Sequence, residues 1–161
     1  MKIVNDTAFR IYKLASSGFC CTQIILKLAL EDEETENTDL IRALNGLCGG
    51  IGSDEKVCGI LTGGIAVIGL YAGKGEPREY YSENFQPMLS EYIDWFKEEF
   101  ESIECRDIIG IQKITDENGN INYPVKCGEI LLKSYEKIQQ IICKYGYDFG
   151  DRDDDVWKVK I

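Results

Sequence analysis

Seven cysteines and no histidine make sulfur the main reactive element of this 161-residue chain. Four of the cysteines, Cys21, Cys58, Cys105 and Cys127, lie where the sequence predicts the first turn of a helix. The unsatisfied N–H groups and the positive dipole end of a helix stabilise negative sulfur, and they lower the pKa of a thiol from its reference value of about 8.5. A thiolate is both a redox nucleophile and a metal ligand, so these four residues form the candidate site.

Helical spacing separates the inward cysteines from the outward ones. Cys21 and Cys127 each begin an apolar stripe at i, i+3, i+4 and i+7, which predicts that both point into the core. Cys20 shares its predicted face with the polar residues Gln23 and Lys27, so we expect it to point outward.

Cys48 and Cys143 lie near predicted helix C-termini, where a thiolate is disfavoured. Cys143 lies on a polar face and is predicted to be a bystander, whereas Cys48 is ambiguous between a core residue and a fifth ligand. The spacing contains no close cysteine pairs such as those of zinc ribbons and ferredoxins. Scattered core thiols are therefore the alternative to a shared site, because cysteine commonly behaves as a small buried hydrophobe.

The elements that must position these residues are helices. Apolar residues recur at helical spacing along most of the chain, which predicts an all-α fold, a compact bundle of about six helices. The run 57–72 is apolar on every side and is predicted to be the central helix, with Gly59 and Gly63 marking a close approach of a neighbouring backbone. Asn118-Gly119 predicts a small β-hairpin near 111–123.

The boundaries of the other elements follow from caps and breakers. We expect a loop over the acidic residues 31–36, a third helix that Thr38 or Asp39 caps and that ends at Gly49 and Gly50, and an amphipathic helix over 80–100. The letters ECRDII predict a short turn that Ser102 can cap. Residues 1–150 are predicted to form a single helical cysteine-rich domain, and 151–161 an acidic C-terminal tail.

Composition excludes several classes of function. The net charge of -10 and the scattered Lys and Arg residues argue against nucleic-acid binding. The longest apolar stretch is shorter than the roughly 20 residues that cross a bilayer, so we expect no membrane insertion and a cytoplasmic location. Thiols stay reduced there, which favours metal or redox chemistry over structural disulfides. Without histidine there is no Cys-His nucleophile pair, and no enzyme class follows from the sequence.

The cysteines and their neighbours resemble the C-GCAxxG-C-C family of putative redox-active proteins. Gly18-Phe19-Cys20-Cys21 is similar to the family's first cysteine segment, with Cys21 in the matching position. The turn at 49–52 and the stretch 58–63, CGILTG, resemble the glycine-rich turn and the central motif. Cys105-Arg106-Asp107 resembles the third segment and Lys126-Cys127 the fourth, so the resemblance runs from about residue 5 to residue 145.

The resemblance implies a redox or metal-binding role, although Ile60 stands where the family has alanine. Together with the helix-start placement, it leads to the hypothesis that Cys21, Cys58, Cys105 and Cys127 bind an iron–sulfur cluster or another thiolate-bound metal ion and exchange electrons with an unknown partner. A second hypothesis is a metal-free dithiol/disulfide redox protein, and a third is a non-catalytic helical module whose acidic surface binds a partner. The sequence leaves open whether the protein forms a homodimer that shares its site.

Overall fold

The described part of the chain is helical. The computed structural model of the protein describes residues 2–109, 114–115, 117–119, 121–122 and 125–152. These residues form α1 (Lys2–Ser16), α2 (Cys21–Asp32), α3 (Thr38–Ala43), α4 (Gly59–Ala72), α5 (Phe85–Phe100), α6 (Cys105–Ile109) and α7 (Val125–Lys144), with a 3-10 turn at Asn45–Leu47. The predicted all-α class is confirmed, with seven α-helices in the described ranges rather than about six.

The predicted central helix is α4, which packs against α2, α5 and α7. A Cβ atom added at Gly63 would lie 2.9 Å from the carbonyl oxygen of Thr22 in α2 and would overlap the side chain of Ile25. At Gly64 the ring of Tyr92 occupies the same space. The prediction that glycine permits a close helix contact here is confirmed, although part of α4 is half-buried rather than enclosed on every side.

A polar cluster joins three helices outside the apolar core. Arg10 of α1 lies 3.0 Å from the Asp32 carboxylate and 3.2 Å from that of Glu31, at the C-terminal end of α2. The hydroxyl of Tyr135 in α7 donates to the other Asp32 oxygen. The partly buried charges of this cluster are thus paired and hydrogen-bonded, as burial requires.

Several predicted boundaries were wrong because local capping decides them. Asn37, rather than Thr38 or Asp39, caps α3, and its side chain accepts a hydrogen bond from the N–H of Leu40 at 3.0 Å. The helix ends at Ala43, well before the glycines.

Two other predicted bounds also change. α2 continues to Asp32 within the acidic stretch, and α5 begins at Phe85 with Pro87 in its first turn, where a missing N–H costs no helical hydrogen bond. The predicted short turn ECRDII is a helix, α6, and Ser102 accepts from the N–H of Glu104 at 3.0 Å just before it.

Two short strands lie between α6 and α7. Ile114–Thr115 (β1) and Ile121–Asn122 (β2) pair antiparallel, and with two residues each they add no layer to the all-α fold. The rest of the hairpin predicted at 111–123 lies largely outside the described residues, and so does the predicted tail after Arg152. Within the described ranges, no helix is long and apolar enough to cross a membrane.

Candidate functional site

All four candidate cysteines lie at helix starts. Cys21 and Cys105 are the first residues of α2 and α6, Cys58 immediately precedes α4, and Cys127 lies in the first turn of α7. Each is buried, with an exposed fraction between 5% and 9%. The predicted placement at helix N-termini is therefore confirmed for the four residues.

A short antiparallel pairing brings Cys58 and Cys105 together. Val57 forms a β-bridge with Glu104. The N–H of Cys58 donates to the carbonyl of Ile103 at 2.8 Å, and the N–H of Cys105 donates to the carbonyl of Lys56 at 2.6 Å. In such a ladder the two cysteines are diagonal neighbours on one face, with Cα atoms typically roughly 7–8 Å apart. Long-range pairing of two loops thus places the starts of α4 and α6 side by side.

Cys21 reaches the same end of α4 from α2. A Cβ atom added at Gly59 would lie 2.6 Å from the Cys21 sulfur, so this sulfur rests against the residue that follows Cys58. The neighbouring Thr22 hydroxyl, which would also collide with that Cβ atom, is completely buried and has no hydrogen-bond partner among the residues that the structure describes. It lies close enough to Cys21 to donate to a thiolate there. Glycine at position 59 is what admits the sulfur and the hydroxyl together.

The electrostatics of this cluster differ from the prediction that helix ends lower the thiol pKa. Burial raises the pKa of Cys21, and the N–H groups of Gly49 and Thr22 oppose that rise only in part. Burial, followed by the nearby charges of Cys21 and Cys105, raises the pKa of Cys58 to about 12 against the N–H groups at the start of α4. Desolvation penalises the thiolate more than the helix end stabilises it, so both groups are thiols at neutral pH.

The structure does not place all four sulfurs equally. Cys21, Cys58 and Cys105 meet at the N-terminal end of α4, as described above. Cys127 begins the buried stripe of α7, a helix that packs along α4 and α5. Among the residues that the structure describes, no group of three or more Cys, Asp or Glu side chains is arranged to hold a metal ion.

The prediction that Cys20 points outward is wrong. Cys20 and Cys48 form a disulfide, with their Cα atoms 5.9 Å apart, and both are buried. Cys20 precedes α2 with extended backbone angles (φ -93°, ψ 172°), so helical phase does not determine where its side chain points. Gln23 is buried too, accepting from the N–H of Cys20 and donating to the carbonyl of Ile41.

Cys48 and Cys143, the other two cysteines outside the candidate site, have different environments. Cys48 is the disulfide partner of Cys20 rather than a fifth ligand, a pairing that neither helical phase nor position along a helix indicates. Cys143 is exposed on α7, which confirms its predicted outward position.

A family of known proteins matches most of the chain. The family model described as Putative redox-active protein (C_GCAxxG_C_C) matches residues 19–141. This range contains Cys21, Cys58, Cys105 and Cys127 as well as the Cys20–Cys48 disulfide. No curated protein and no solved structure matches the chain.

Proposed function

Because the chain belongs to the C-GCAxxG-C-C family of putative redox-active proteins, we propose that it is a thiol redox protein in which Cys21 and Cys58 cycle between two thiols and a disulfide. The observation that carries this proposal is the contact of the Cys21 sulfur with Gly59, next to Cys58. Oxidation of the pair forms one S–S bond and releases two protons and two electrons. The electrons pass to a partner redox protein.

Burial favours a disulfide couple over a metal site. Thiolates are costly in this environment, as the raised pKa values of Cys21 and Cys58 indicate. A dithiol and a disulfide are both uncharged, so the cycle leaves no charge in the core at either end point. A metal site requires deprotonated ligands. Cys105, the diagonal neighbour of Cys58, is the alternative partner for the same chemistry.

A second candidate function is binding of an iron–sulfur cluster or a thiolate-bound metal by Cys21, Cys58, Cys105 and Cys127. The N–H groups directed at the sulfurs of Cys21 and Cys58 favour it, because such donors stabilise the thiolate ligands of clusters. This candidate requires the four sulfurs to draw together more closely than in the described arrangement. No step of the proposed cycle depends on it.

The acidic surface suggests the character of the partner. With a net charge of -10, the protein attracts a partner that presents a basic face, and such attraction raises the rate of encounter. We therefore expect electron exchange with a basic redox protein to slow as salt is added.

Anaerobic purification, followed by metal analysis and oxidation, tests the two candidates. We expect a colourless protein that forms a Cys21–Cys58 link on treatment with diamide, detected by peptide mass spectrometry after acid quenching and alkylation. Cys58→Ser removes this link and leaves the Cys20–Cys48 disulfide intact, and the control Cys143→Ser changes neither. Stoichiometric iron and sulfide with visible absorption would instead establish the second candidate. The thiol cycle is excluded if neither Cys21 nor Cys105 links to Cys58 under conditions that oxidise Cys20 and Cys48.

A further inference from the structure

The Cys20–Cys48 disulfide lies beside the candidate site but is formed by neither Cys21, Cys58, Cys105 nor Cys127. It joins the residue before α2 to the loop after the 3-10 turn, across 28 positions of sequence. Both of its cysteines are buried, and Cys20 directly precedes the buried Cys21 in the chain. The chain therefore holds a formed two-electron couple next to a buried thiol.

Cys21 is adjacent to both halves of this disulfide. It follows Cys20 in the chain, and its sulfur accepts a hydrogen bond from the N–H of Gly49, the residue after Cys48. The carbonyl of Leu47 lies 3.4 Å from the position at Gly59 that the Cys21 sulfur also contacts. The Cys21 sulfur, the residues on either side of Cys48 and the start of α4 therefore share one small region.

The loop that carries Cys48 is held in an unfavourable conformation. Gly49, Gly50, Ile51, Gly52 and Ser53 all have positive φ angles, between 58° and 79°. This left-handed conformation is unfavourable for the β-branched Ile51, and it persists only because surrounding contacts impose it. Release of Cys48 from Cys20 removes one of the constraints on this loop and lets the Cys48 sulfur move relative to α2.

We propose that Cys20–Cys48 is a second redox couple that exchanges with the thiol of Cys21. The Cys21 sulfur attacks the Cys48 sulfur, the bond between Cys20 and Cys48 breaks, and a Cys21–Cys48 disulfide forms. Cys20 leaves as a thiolate and takes up the proton that Cys21 lost, so this step consumes no oxidant and no reductant. Thiol–disulfide exchange proceeds through this kind of displacement.

The exchange becomes electron transfer when a further thiol completes it. If Cys58 then displaces Cys48 from Cys21, two electrons and two protons have passed from Cys21 and Cys58 to Cys20 and Cys48. This second displacement rests on the proposed function, whereas the exchange between Cys21 and the Cys20–Cys48 disulfide does not.

Removal of Cys20 tests the exchange directly. In the full-length Cys20→Ala/Cys58→Ser variant, in which Cys21 cannot link to Cys58, treatment with diamide should link Cys21 to Cys48 in at least half of the chains, as quantified by peptide mass spectrometry after acid quenching and alkylation. Adding Cys21→Ala to this variant should leave Cys48 as a thiol, and the matched control Cys143→Ala should retain the Cys20–Cys48 disulfide. If fewer than half of the Cys20→Ala/Cys58→Ser chains form the link while circular dichroism shows native helix content, the proposal is overturned.

A measurement on the Cys58→Ser variant, which retains Cys20, covers the case in which Cys20→Ala/Cys58→Ser does not fold. After incubation at pH 8.5, we expect the Cys21–Cys48 isomer in at least about one chain in a hundred at equilibrium with Cys20–Cys48. A smaller fraction overturns the proposal. Both variants lack Cys58, so failure of the exchange and failure of the Cys21–Cys58 cycle are distinguishable.

Discussion

The two ends of α4 pack against different kinds of chemical group. At the N-terminal end, the small residues Gly59 and Gly63 let α2 approach so closely that the Cys21 sulfur and the Thr22 backbone fill the available space. At the C-terminal end, Tyr71 stacks on Phe149 with ring centroids 5.6 Å apart. Backbone contact holds the first end, whereas aromatic side chains hold the second.

The C-terminal end of α4 also borders a cavity, and polar contacts stabilise it. A cavity of about 520 Å³ lies there, lined by Tyr71, Tyr80, Tyr81, Tyr145, Tyr147 and neighbouring polar residues. The Tyr71 hydroxyl accepts a hydrogen bond from the N–H of Gly150 at 3.0 Å, and Arg152 lies 2.7 Å from the Glu33 carboxylate. Added volume should therefore be tolerated better at the C-terminal end of α4, the aromatic end, than at its N-terminal end, the sulfur end.

The largest effect that we expect concerns thiol reactivity at the sulfur end. With a pKa of about 12, Cys58 is almost entirely protonated at pH 8. Its alkylation by iodoacetamide should therefore be on the order of a thousand-fold slower than that of an ordinary peptide thiol. The rate should rise as pH increases toward 12, because only the thiolate reacts. Peptide mass spectrometry over a pH series measures it, with exposed Cys143 as the internal control.

Equal labelling of Cys58 and Cys143 in the folded protein at pH 8 would contradict the protonated, closed state of the sulfur end. It would also remove the argument that burial favours an uncharged redox cycle over a metal site.

The next effect compares two glycines on the same helix. Gly63→Ala places a methyl group against the carbonyl of Thr22 and the side chain of Ile25, so we expect a loss of about 3 kcal/mol in the free energy of unfolding. Gly69→Ala is the matched control, because no atom of a neighbouring residue in the described part of the chain lies within 4 Å of its added Cβ atom. There the better helix propensity of alanine should stabilise the protein by about 0.5–1 kcal/mol.

Urea denaturation of both variants measures how much each added methyl group changes the free energy of unfolding. Similar losses at Gly63 and Gly69 would show that the close approach of α2 does not set the stability of the sulfur end.

The smallest effect that we expect concerns the hydrogen bond of Tyr71 at the C-terminal end of α4. Tyr71→Phe retains the ring contacts and removes the hydroxyl that accepts from Gly150, so the variant should lose about 1 kcal/mol of stability. Tyr81→Phe is the control, since that side chain is 60% exposed, and its stability should be unchanged. Thermal or urea unfolding of both variants measures the contribution of the hydroxyl group. If the ring contacts alone stabilise this end of α4, both variants would be as stable as the parent protein.

Much of the helical framework was predictable because its signals are local. The apolar periodicity of α2 and α7 placed Cys21 and Cys127 on buried stripes, and the glycine spacing of α4 indicated a close neighbour before that neighbour was known. Boundaries such as that of α3 were less predictable, because several adjacent residues could cap the helix and only Asn37 does.

The partnerships among the cysteines were not predictable. The bridge between Val57 and Glu104, which places Cys58 beside Cys105, joins segments far apart in the sequence and leaves no periodic trace. Cys20 was misassigned because its backbone is extended rather than helical, so phase counting did not apply to it.

The sequence by itself determined that this is an all-α protein whose chemistry belongs to sulfur, with Cys21, Cys58, Cys105 and Cys127 at helix starts, because residue type and helical spacing are properties of short segments. Only the tertiary structure decided which sulfurs are neighbours, that Cys20 pairs with Cys48, and that burial outweighs the helix dipole in setting the pKa of Cys58. Proximity and desolvation depend on everything that packs around a group, and they exist only once distant segments have come together.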